Sequence, residues 1–257
     1  MNSKNAFIEY ESDDQELCSE IFELNIVSEG CHLYGYMLVP DKRVAGPYPT
    51  VIMSHGFPGY TTNNDLELAF MRMGCVVIHM NHRGAWGSGG NYLFTHLKED
   101  LIAVTKWAHN NAIADQYGID VNNIFLVGHS MGGQTVLNAA KELSFIQGVV
   151  AMAAYDIGAA FRYKMEKELF LMIETEGQCL KMTSASEVYE NALINQHELS
   201  ILNRYEELIG KNVLLVEASL DTVAPPEKML KPLSLRLSEA NGNIRYEKIT
   251  SNHSFIG

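Results

Sequence analysis

A serine lies between two glycines in the segment Gly128-His129-Ser130-Met131-Gly132, which matches the pattern G-x-S-x-G. An apolar run at residues 124–127 precedes the segment, and a run typical of a helix follows it. Between a strand and a helix, this pattern predicts a sharp turn that exposes a serine hydroxyl at the end of the strand. We therefore predict that Ser130 is a nucleophile. The alternative is a glycine-rich turn that contains a serine by chance.

A serine hydroxyl is a poor nucleophile unless a base takes its proton. His253 follows the last predicted strand and Asp221 follows the predicted strand before it, so the chain order is Ser, Asp, His. This order is expected for a sheet that carries the G-x-S-x-G turn. We predict that His253 is the base and that Asp221 orients its imidazole. Asp156, which follows the predicted strand at 148–153, is the alternative acid.

The negative oxygen that forms during acyl transfer needs two N–H donors. Met131, the residue after the nucleophile, is predicted to supply one of them. The other is expected from the segment His55-Gly56-Phe57-Pro58-Gly59, which follows a predicted strand. Pro58 has no N–H, so Phe57 is the predicted donor, and Gly56 lets the backbone approach the substrate. A simple turn of glycine and proline is the alternative.

The segment NHRGAWGSGG at residues 81–90 predicts an irregular loop beside the site, in which Arg83 is expected to have a structural role, with a substrate contact as the alternative. Weaker candidates for substrate contacts are Trp86, His129 and Phe161. Aromatic and methionine residues further along the chain suit an apolar acyl pocket, although such residues more often form a helix's own core. They are Phe161, Tyr163, Met165, Phe170 and Met172.

The composition excludes several classes of protein. The 257 residues are 47% hydrophobic, which supports a sizeable core and excludes disorder as the main state. Nineteen basic against 31 acidic residues give a net charge of −12, so we expect neither nucleic acid nor anionic lipid as a partner. No apolar run is long enough to span a bilayer, and the polar N-terminus lacks a signal sequence, which predicts a cytoplasmic protein. The four cysteines lack the spacing of a zinc site.

Apolar runs alternate with helical patterns along the chain. Predicted helices lie at 64–73, at 97–108 with Thr95 as its cap, at 131–143 and at 227–240. Predicted strands lie at 22–27, 33–39, 50–54, 76–80, 124–127, 148–153, 213–217 and 245–249, and Glu29-Gly30 predicts a hairpin between the first two. The order predicts an α/β fold with a doubly wound, mostly parallel eight-stranded sheet.

Residues 156–210 interrupt this alternation, since they contain no good strand pattern. Helical patches at 161–173 and 186–205 predict a helical lid inserted between two strands. Long crossover helices are the alternative. The predicted organisation is therefore a core of residues 1–155 and 211–257 with a lid at 156–210.

The segments HGFPG, NHRGAWGSGG and GHSMGG, together with the Asp221 and His253 loops, resemble the α/β-hydrolase superfamily over about residues 30–256. The RGAWGSGG loop is similar to that of bacterial serine esterases near the feruloyl-esterase-like and prolyl-oligopeptidase-like branches. The resemblance implies a Ser-His-Asp triad on this fold. One departure is that only four residues follow His253, where such folds usually continue into a helix.

Together these observations predict a serine carboxylic ester hydrolase that forms an acyl-enzyme on a small or aromatic acyl ester. No metal or organic cofactor is expected, and the predicted partner is a small-molecule ester. A peptidase or amidase of the prolyl-oligopeptidase-like branch, which shares the same machinery, is the first alternative. A non-catalytic binding module is the second. A homodimer is left open by the sequence.

Overall fold

The computed structural model describes residues 3–6, 18–60 and 63–256. Over these ranges the strands are β1 Glu20–Glu23, β2 Ile26–Ser28, β3 Cys31–Leu33, β4 Gly35–Val39, β5 Tyr48–Ser54, β6 Val76–Met80, β7 Ile119–His129, β8 Gly148–Met152, β9 Asn212–Ala218 and β10 Ile244–Ile249. Eight of them form one sheet in the order β1-β4-β6-β5-β7-β8-β9-β10. β4 is antiparallel to both of its neighbours, β1 and β6, and the other pairs of this sheet are parallel. The predicted mostly parallel eight-stranded sheet is confirmed.

The first two predicted strands are each divided in the structure. The run at 22–27 becomes β1 and β2, and the run at 33–39 becomes β3 and β4. β2 and β3 pair only with each other, around a turn at Glu29-Gly30 in which both residues have positive φ. The chain leaves the large sheet after β1, forms this hairpin and returns as β4, so the predicted hairpin is present but lies outside the large sheet.

Helices cover both faces of the sheet. They are α1 Asn64–Arg72, α2 Phe94–Ala108, α3 Asn111–Tyr117, α4 Met131–Ala140, α5 Ile157–Arg162, α6 Glu166–Glu176, α7 Ala185–Ile194, α8 Gln196–Leu199 and α9 Leu230–Glu239. Ile52 belongs to a core cluster with α2 and α4, whereas its neighbour Val51 packs on the opposite face near α1. Because β5 and β6 are buried on both faces, their sequences read as continuous apolar runs.

Thr95 is not the cap of α2, so that prediction is wrong. Leu93 occupies the capping position with an extended backbone, and Thr95 lies inside the helix. There its hydroxyl accepts a hydrogen bond from Asn191 Nδ2 at 3.1 Å. The threonine therefore links α2 to α7 instead of satisfying an end of its own helix. No helix within the described ranges is both long and apolar enough to cross a membrane.

Residues 156–210, which we call the insertion, lie between β8 and β9 and contain α5 to α8. The two predicted helical patches are thus divided among four shorter helices in this fully described segment. Asp156, the alternative catalytic acid, is completely buried where the insertion begins. Its carboxylate accepts hydrogen bonds from the backbone N–H groups of Gly158 and Ile201 and from the Ser200 hydroxyl. Asp156 therefore joins the two ends of the insertion.

Candidate active site

The turn at Ser130 joins the end of β7 to the start of α4. Ser130 has φ 56° and ψ −121°, a conformation that non-glycine residues rarely adopt. A Cβ at Gly132 would lie 2.0 Å from the Ser54 carbonyl oxygen, and one at Gly128 would lie 2.2 Å from the Gly132 carbonyl oxygen. Both positions therefore require glycine, because the turn folds directly against backbone.

Ser130, His253 and Asp221 form a continuous chain of hydrogen bonds. The Ser130 Oγ lies 2.8 Å from His253 Nε2, and His253 Nδ1 lies 2.7 Å from Asp221 Oδ2. The carboxylate only accepts, so Nδ1 carries the proton and Nε2 is free to accept from the serine hydroxyl. The other oxygen of Asp221 accepts 2.8 Å hydrogen bonds from the N–H groups of Val223 and Ala224, which fix the carboxylate.

Parallel strands bring these three residues together at one edge of the sheet. β7, β9 and β10 all run in the same direction, so the loops that follow them lie at the same edge. Two backbone hydrogen bonds tie the Asp221 and His253 loops to each other, from Ser219 N–H to the Ile249 carbonyl and from Leu220 N–H to the Ser251 carbonyl. The loops are thereby held in register beyond the ends of their strands.

A cavity of about 340 Å³ opens beside Ser130 and His253. One wall is the 56–60 loop, another is formed by the loops after β9 and β10, and a third is contributed by α6 of the insertion with Met165 before it. No lysine or arginine is among the described residues that line it. The lining residues are Gly56, Phe57, Gly59, Tyr60, His129, Ser130, Tyr155, Met165, Glu168, Met172, Glu176, Thr222, Val223, His253 and Ser254.

The loop at residues 55–59 packs against the turn that carries Ser130. A Cβ at Gly56 would be 3.0 Å from the Ser130 Cβ. The Phe57 ring is anchored among Tyr92 and Phe94, and the Trp86 indole Nε1 donates to the Pro58 carbonyl at 2.7 Å. The loop is therefore held from two sides.

The weaker substrate candidates occupy different places. His129 lines the cavity, and so do Met165 and Met172. Trp86 is 41% exposed and contacts the Tyr60 ring without itself lining the cavity. Phe161 is buried against Tyr189 in the insertion and also lies outside the lining.

Sequence reasoning did not identify several other residues of the cavity wall, among them Tyr60, Glu168 and Glu176. A signal for the two glutamates exists in the chain. Met165, Glu168, Met172 and Glu176 recur at helical spacing, which places the last three on one face of α6, with Met165 at its cap. Because an apolar face is the usual guide to burial, a face of mixed methionine and glutamate does not stand out in the sequence.

Two buried histidines lie close to Ser130, His129 within its turn and His55 in the loop packed against it. The His55 Nδ1 lies 2.7 Å from the Gly56 carbonyl oxygen, and the His129 Nε2 lies 2.7 Å from the His253 carbonyl oxygen. Burial, reinforced by the nearby His82, lowers the pKa of His55 to about 3. Burial also lowers the pKa of His129 to about 4, against the opposing hydrogen bond to His253. Both imidazoles are therefore neutral at ordinary pH.

A second set of serine, histidine and aspartate lies beside the loop at residues 55–59, whose His55 ring contacts the His82 ring. The Ser54 Oγ is 2.9 Å from His82 Nε2, and His82 Nδ1 is 3.8 Å from Asp100 Oδ2. That last distance is too long for a hydrogen bond. Asp100 instead accepts hydrogen bonds from the Arg83 side-chain Nε at 2.6 Å and from the Arg83 backbone N–H at 2.8 Å. Arg83 thus has the structural position expected from the sequence. No group of three metal-ligating side chains suited to an ion occurs within the described ranges.

The eight-stranded, mostly parallel sheet with helices on both faces is the α/β-hydrolase fold, and the chain is a serine hydrolase of that superfamily. Residues 46–211, more than half of the chain, match the model of the family described as serine aminopeptidase, S33. The chain belongs to this family. No curated protein sequence is detectably similar to it.

Solved structures share the fold at low sequence identity. Brefeldin A esterase, a bacterial homologue of human hormone-sensitive lipase, is 18% identical with a TM-score of 0.67, over 97% of this chain and 73% of that one. An esterase from Pyrococcus furiosus is 19% identical with a TM-score of 0.65, over 96% and 88%. The acylaminoacyl peptidase of Pyrococcus horikoshii is 15% identical with a TM-score of 0.70, over 92% of this chain and 38% of that one.

Proposed function

We propose that the protein is a serine carboxylic ester hydrolase that uses Ser130, His253 and Asp221 as a catalytic triad on a small or aromatic acyl ester. The observation that carries the proposal is the continuous hydrogen-bond chain through the three side chains, at 2.8 and 2.7 Å, which ends at a serine facing a cavity. A volume of about 340 Å³ is at the small end for ligand sites and suits a compact substrate.

The proposed reaction proceeds in two halves. The Ser130 Oγ attacks the ester carbonyl carbon as His253 Nε2 takes its proton, and the imidazolium then protonates the departing alcohol. Water attacks the acyl-enzyme, gives its proton to His253 and releases the acid, while the serine oxygen recovers a proton. Asp221 keeps the imidazole in the required tautomer and stabilises its charged form.

The Phe57 and Met131 N–H groups are the proposed donors to the oxyanion. Neither amide donates to a partner among the described residues, so both are free to bind a developing negative charge. Met131 is the first residue of α4, whose N-terminus also favours an anion. One such donor typically contributes about 3–4 kcal/mol to transition-state stabilisation.

We further propose that the insertion is a lid domain, with residues 1–155 and 211–257 as the core. Support comes from α6, whose residues Glu168, Met172 and Glu176 lie across the cavity from Ser130. In this role the insertion excludes water from the acyl-enzyme and limits the size of the acyl group.

Hydrolysis of p-nitrophenyl esters from acetate to decanoate, together with methyl ferulate, tests the proposed activity. We expect turnover that is lost in Ser130→Ala and kept in the control Ser186→Ala, which changes an exposed serine on α7. The native protein should also react with a fluorophosphonate at Ser130 alone. Turnover that persists in Ser130→Ala, or labelling at another residue, would contradict the assignment.

A second candidate is an amidase that acts on substrates with a free amino group. The observation that favours it is the pair of carboxylates, Glu168 and Glu176, in a cavity whose described lining has no basic lysine or arginine. Carboxylates in the cavity that Ser130 lines attract an ammonium group and repel an anion. The family description, serine aminopeptidase, agrees with this alternative.

Amino-acid p-nitroanilides distinguish the two candidates. An amidase of this kind should hydrolyse the anilide with a free amino group at least about tenfold faster than the N-acetylated one. Glu168→Gln and Glu176→Gln should narrow that ratio, because each removes a charge while keeping the shape. An esterase should show little anilide turnover, with the ester rates nearly unchanged in both variants.

A further inference from the structure

His55 precedes Gly56 in the loop packed against Ser130, and His129 precedes Ser130 itself, yet neither belongs to the hydrogen-bond chain of the proposed triad. Both are more than nine-tenths buried. In each ring one nitrogen makes a 2.7 Å contact with a backbone carbonyl, and the other nitrogen is buried without a hydrogen-bond partner. A carbonyl only accepts, so the bonded nitrogen must carry the proton. A neutral imidazole has one proton, and the unpartnered nitrogen is therefore the one without it.

The bond from His55 fixes the peptide that carries the Phe57 N–H. His55 Nδ1 donates to the Gly56 carbonyl. That carbonyl and the Phe57 N–H belong to one planar trans peptide unit, so they point in opposite directions. Holding the carbonyl toward His55 therefore aims the N–H away from it. Since Gly56 packs against the Ser130 Cβ, the peptide whose direction is fixed is the one beside the nucleophile.

The bond from His129 fixes the loop that carries the base. His129 Nε2 donates to the carbonyl of His253 itself, and the two rings lie 4.9 Å apart. His253 lies in a loop, four residues after the end of β10. His129 is covalently joined to Ser130, so this single bond relates the backbone of the base to the backbone of the nucleophile across 124 positions of sequence.

We propose that His55 and His129 are positioning residues, of which His55 sets the direction of the Phe57 N–H and His129 holds His253 within reach of Ser130. The inference rests on the proposed function, since it assigns geometry to the proposed oxyanion donor and base. Each ring is buried and neutral, so it carries one proton. It therefore donates a single hydrogen bond, to the one carbonyl that it holds in place.

Amide side chains provide a matched test, because the asparagine Nδ2 replaces a donor at Nδ1 and the glutamine Nε2 replaces a donor at Nε2. His55→Asn should keep most of the activity, whereas His55→Gln should lose about 100-fold in kcat, as expected for a lost oxyanion donor. At position 129 the preference should reverse, with His129→Gln active and His129→Asn at least about tenfold slower. KM should change less than about threefold, because the affected groups act on the transition state.

The measurements are kcat and KM for p-nitrophenyl acetate and the rate at which a fluorophosphonate labels Ser130, with thermal unfolding as the control for folding. Equal losses in the asparagine and glutamine variants at either position, or losses that follow the melting temperature, would overturn the inference. A native protein that neither turns over esters nor labels at Ser130 would instead remove the proposed function, and the positioning roles with it.

A measurement on the unaltered protein covers the case in which a variant does not fold. Nitrogen-15 NMR of labelled histidine should show His55 protonated at Nδ1 and His129 protonated at Nε2, both neutral down to pH 5. The opposite tautomer at either residue, or a charged ring at pH 6, would overturn the inference.

Discussion

Two sets of serine, histidine and aspartate lie within the same region of the molecule, and only one has the geometry of an active site. In the first, Ser130, His253 and Asp221 are joined by two short hydrogen bonds and face a cavity. In the second, Ser54 also contacts a histidine nitrogen, but the aspartate is held by Arg83 and the histidine is completely buried.

The difference shows which features beyond residue type make the chemistry feasible. Ser130 has a positive φ that lifts it out of the strand, whereas Ser54 is the last residue of the regular strand β5. The N–H groups of Met131, next to Ser130, and of Phe57, in the loop packed against it, donate to no partner among the described residues. Among the described residues the Asp221 carboxylate pairs with His253 and with no lysine or arginine, while Asp100 is in an ion pair with Arg83. Three features therefore distinguish the candidate triad from the buried structural network. The serine faces a cavity, its backbone is strained, and the carboxylate bonds to the histidine instead of to an arginine.

The largest expected effect comes from the two serines. Ser130→Ala should lower kcat by at least about 10⁴-fold, since the nucleophile is lost. Ser54→Ala should leave kcat within about threefold, because it removes only a buried contact to His82. Steady-state hydrolysis of p-nitrophenyl acetate by both variants measures the contrast. Similar losses in the two would show that the buried set contributes to catalysis.

The two aspartates should fail in different ways. Asp221→Asn should lower kcat by up to about 10⁴-fold with little change in stability, since the imidazole is left in the wrong tautomer. Asp100→Asn should lower the free energy of unfolding by up to about 3 kcal/mol, because it removes the buried carboxylate of the Arg83 ion pair and leaves the guanidinium with the half-exposed Glu99. Urea unfolding measures the loss of stability, and kcat measured below the melting temperature measures the loss of activity. A stable but inactive Asp100→Asn would contradict the distinction.

The buried histidine beside the triad should also affect stability in acid. The pKa of His129 is about 4 in the folded protein and about 6.5 in an unfolded chain. Between these values the unfolded state binds more protons, so the free energy of unfolding falls as the pH is lowered from about 6.5 to about 4. His129→Gln should reduce this slope by up to about 1.4 kcal/mol per pH unit. Urea unfolding from pH 7 to 4.5 measures it.

The control for that measurement is His197→Gln, which changes an exposed histidine on α8. Its slope should match that of the native protein. Equal slopes for the native protein and His129→Gln would mean that the buried ring does not resist protonation.

The smallest effect is expected at the loop of residues 55–59, which contacts both sets. Trp86→Phe removes the 2.7 Å hydrogen bond to the Pro58 carbonyl and should cost about 1 kcal/mol of stability and a few-fold in kcat. Trp107→Phe is the matched control, since Trp107 packs beside Tyr117 away from this loop and should affect stability alone. Unchanged kcat in Trp86→Phe would show that the loop does not depend on this bond.

Much of the fold follows from local sequence, because buried parallel strands produce continuous apolar runs that are easy to recognise. The grouping of Ser130, Asp221 and His253 follows from the same pattern, since all three come after strands whose carboxyl ends share one edge. Helix α3 was missed although its signals are present. The Asn110 side chain caps its start by accepting from Ala112 and Ile113, and Gly118 ends it with φ 70°.

Contacts between distant segments are beyond such reasoning. Nothing near His129 in the sequence indicates that its ring meets the carbonyl of His253, because that pairing depends on how the loops after β7 and β10 meet. The cap assigned to Thr95 fails for the same reason, since its partner Asn191 is 96 residues away.

The buried carboxylate of Asp156 has a consequence for how the protein can change. It bonds to Gly158 at the start of the insertion and to Ser200 and Ile201 near its end, while Asn138 of the core donates to the Leu199 carbonyl. The helices between these points thus form an excursion that leaves the core and returns to the same place. Asp156 therefore fixes the points at which the proposed lid leaves and rejoins the sheet, so a change within α6 should alter the cavity wall more than the loops that carry Ser130, Asp221 and His253.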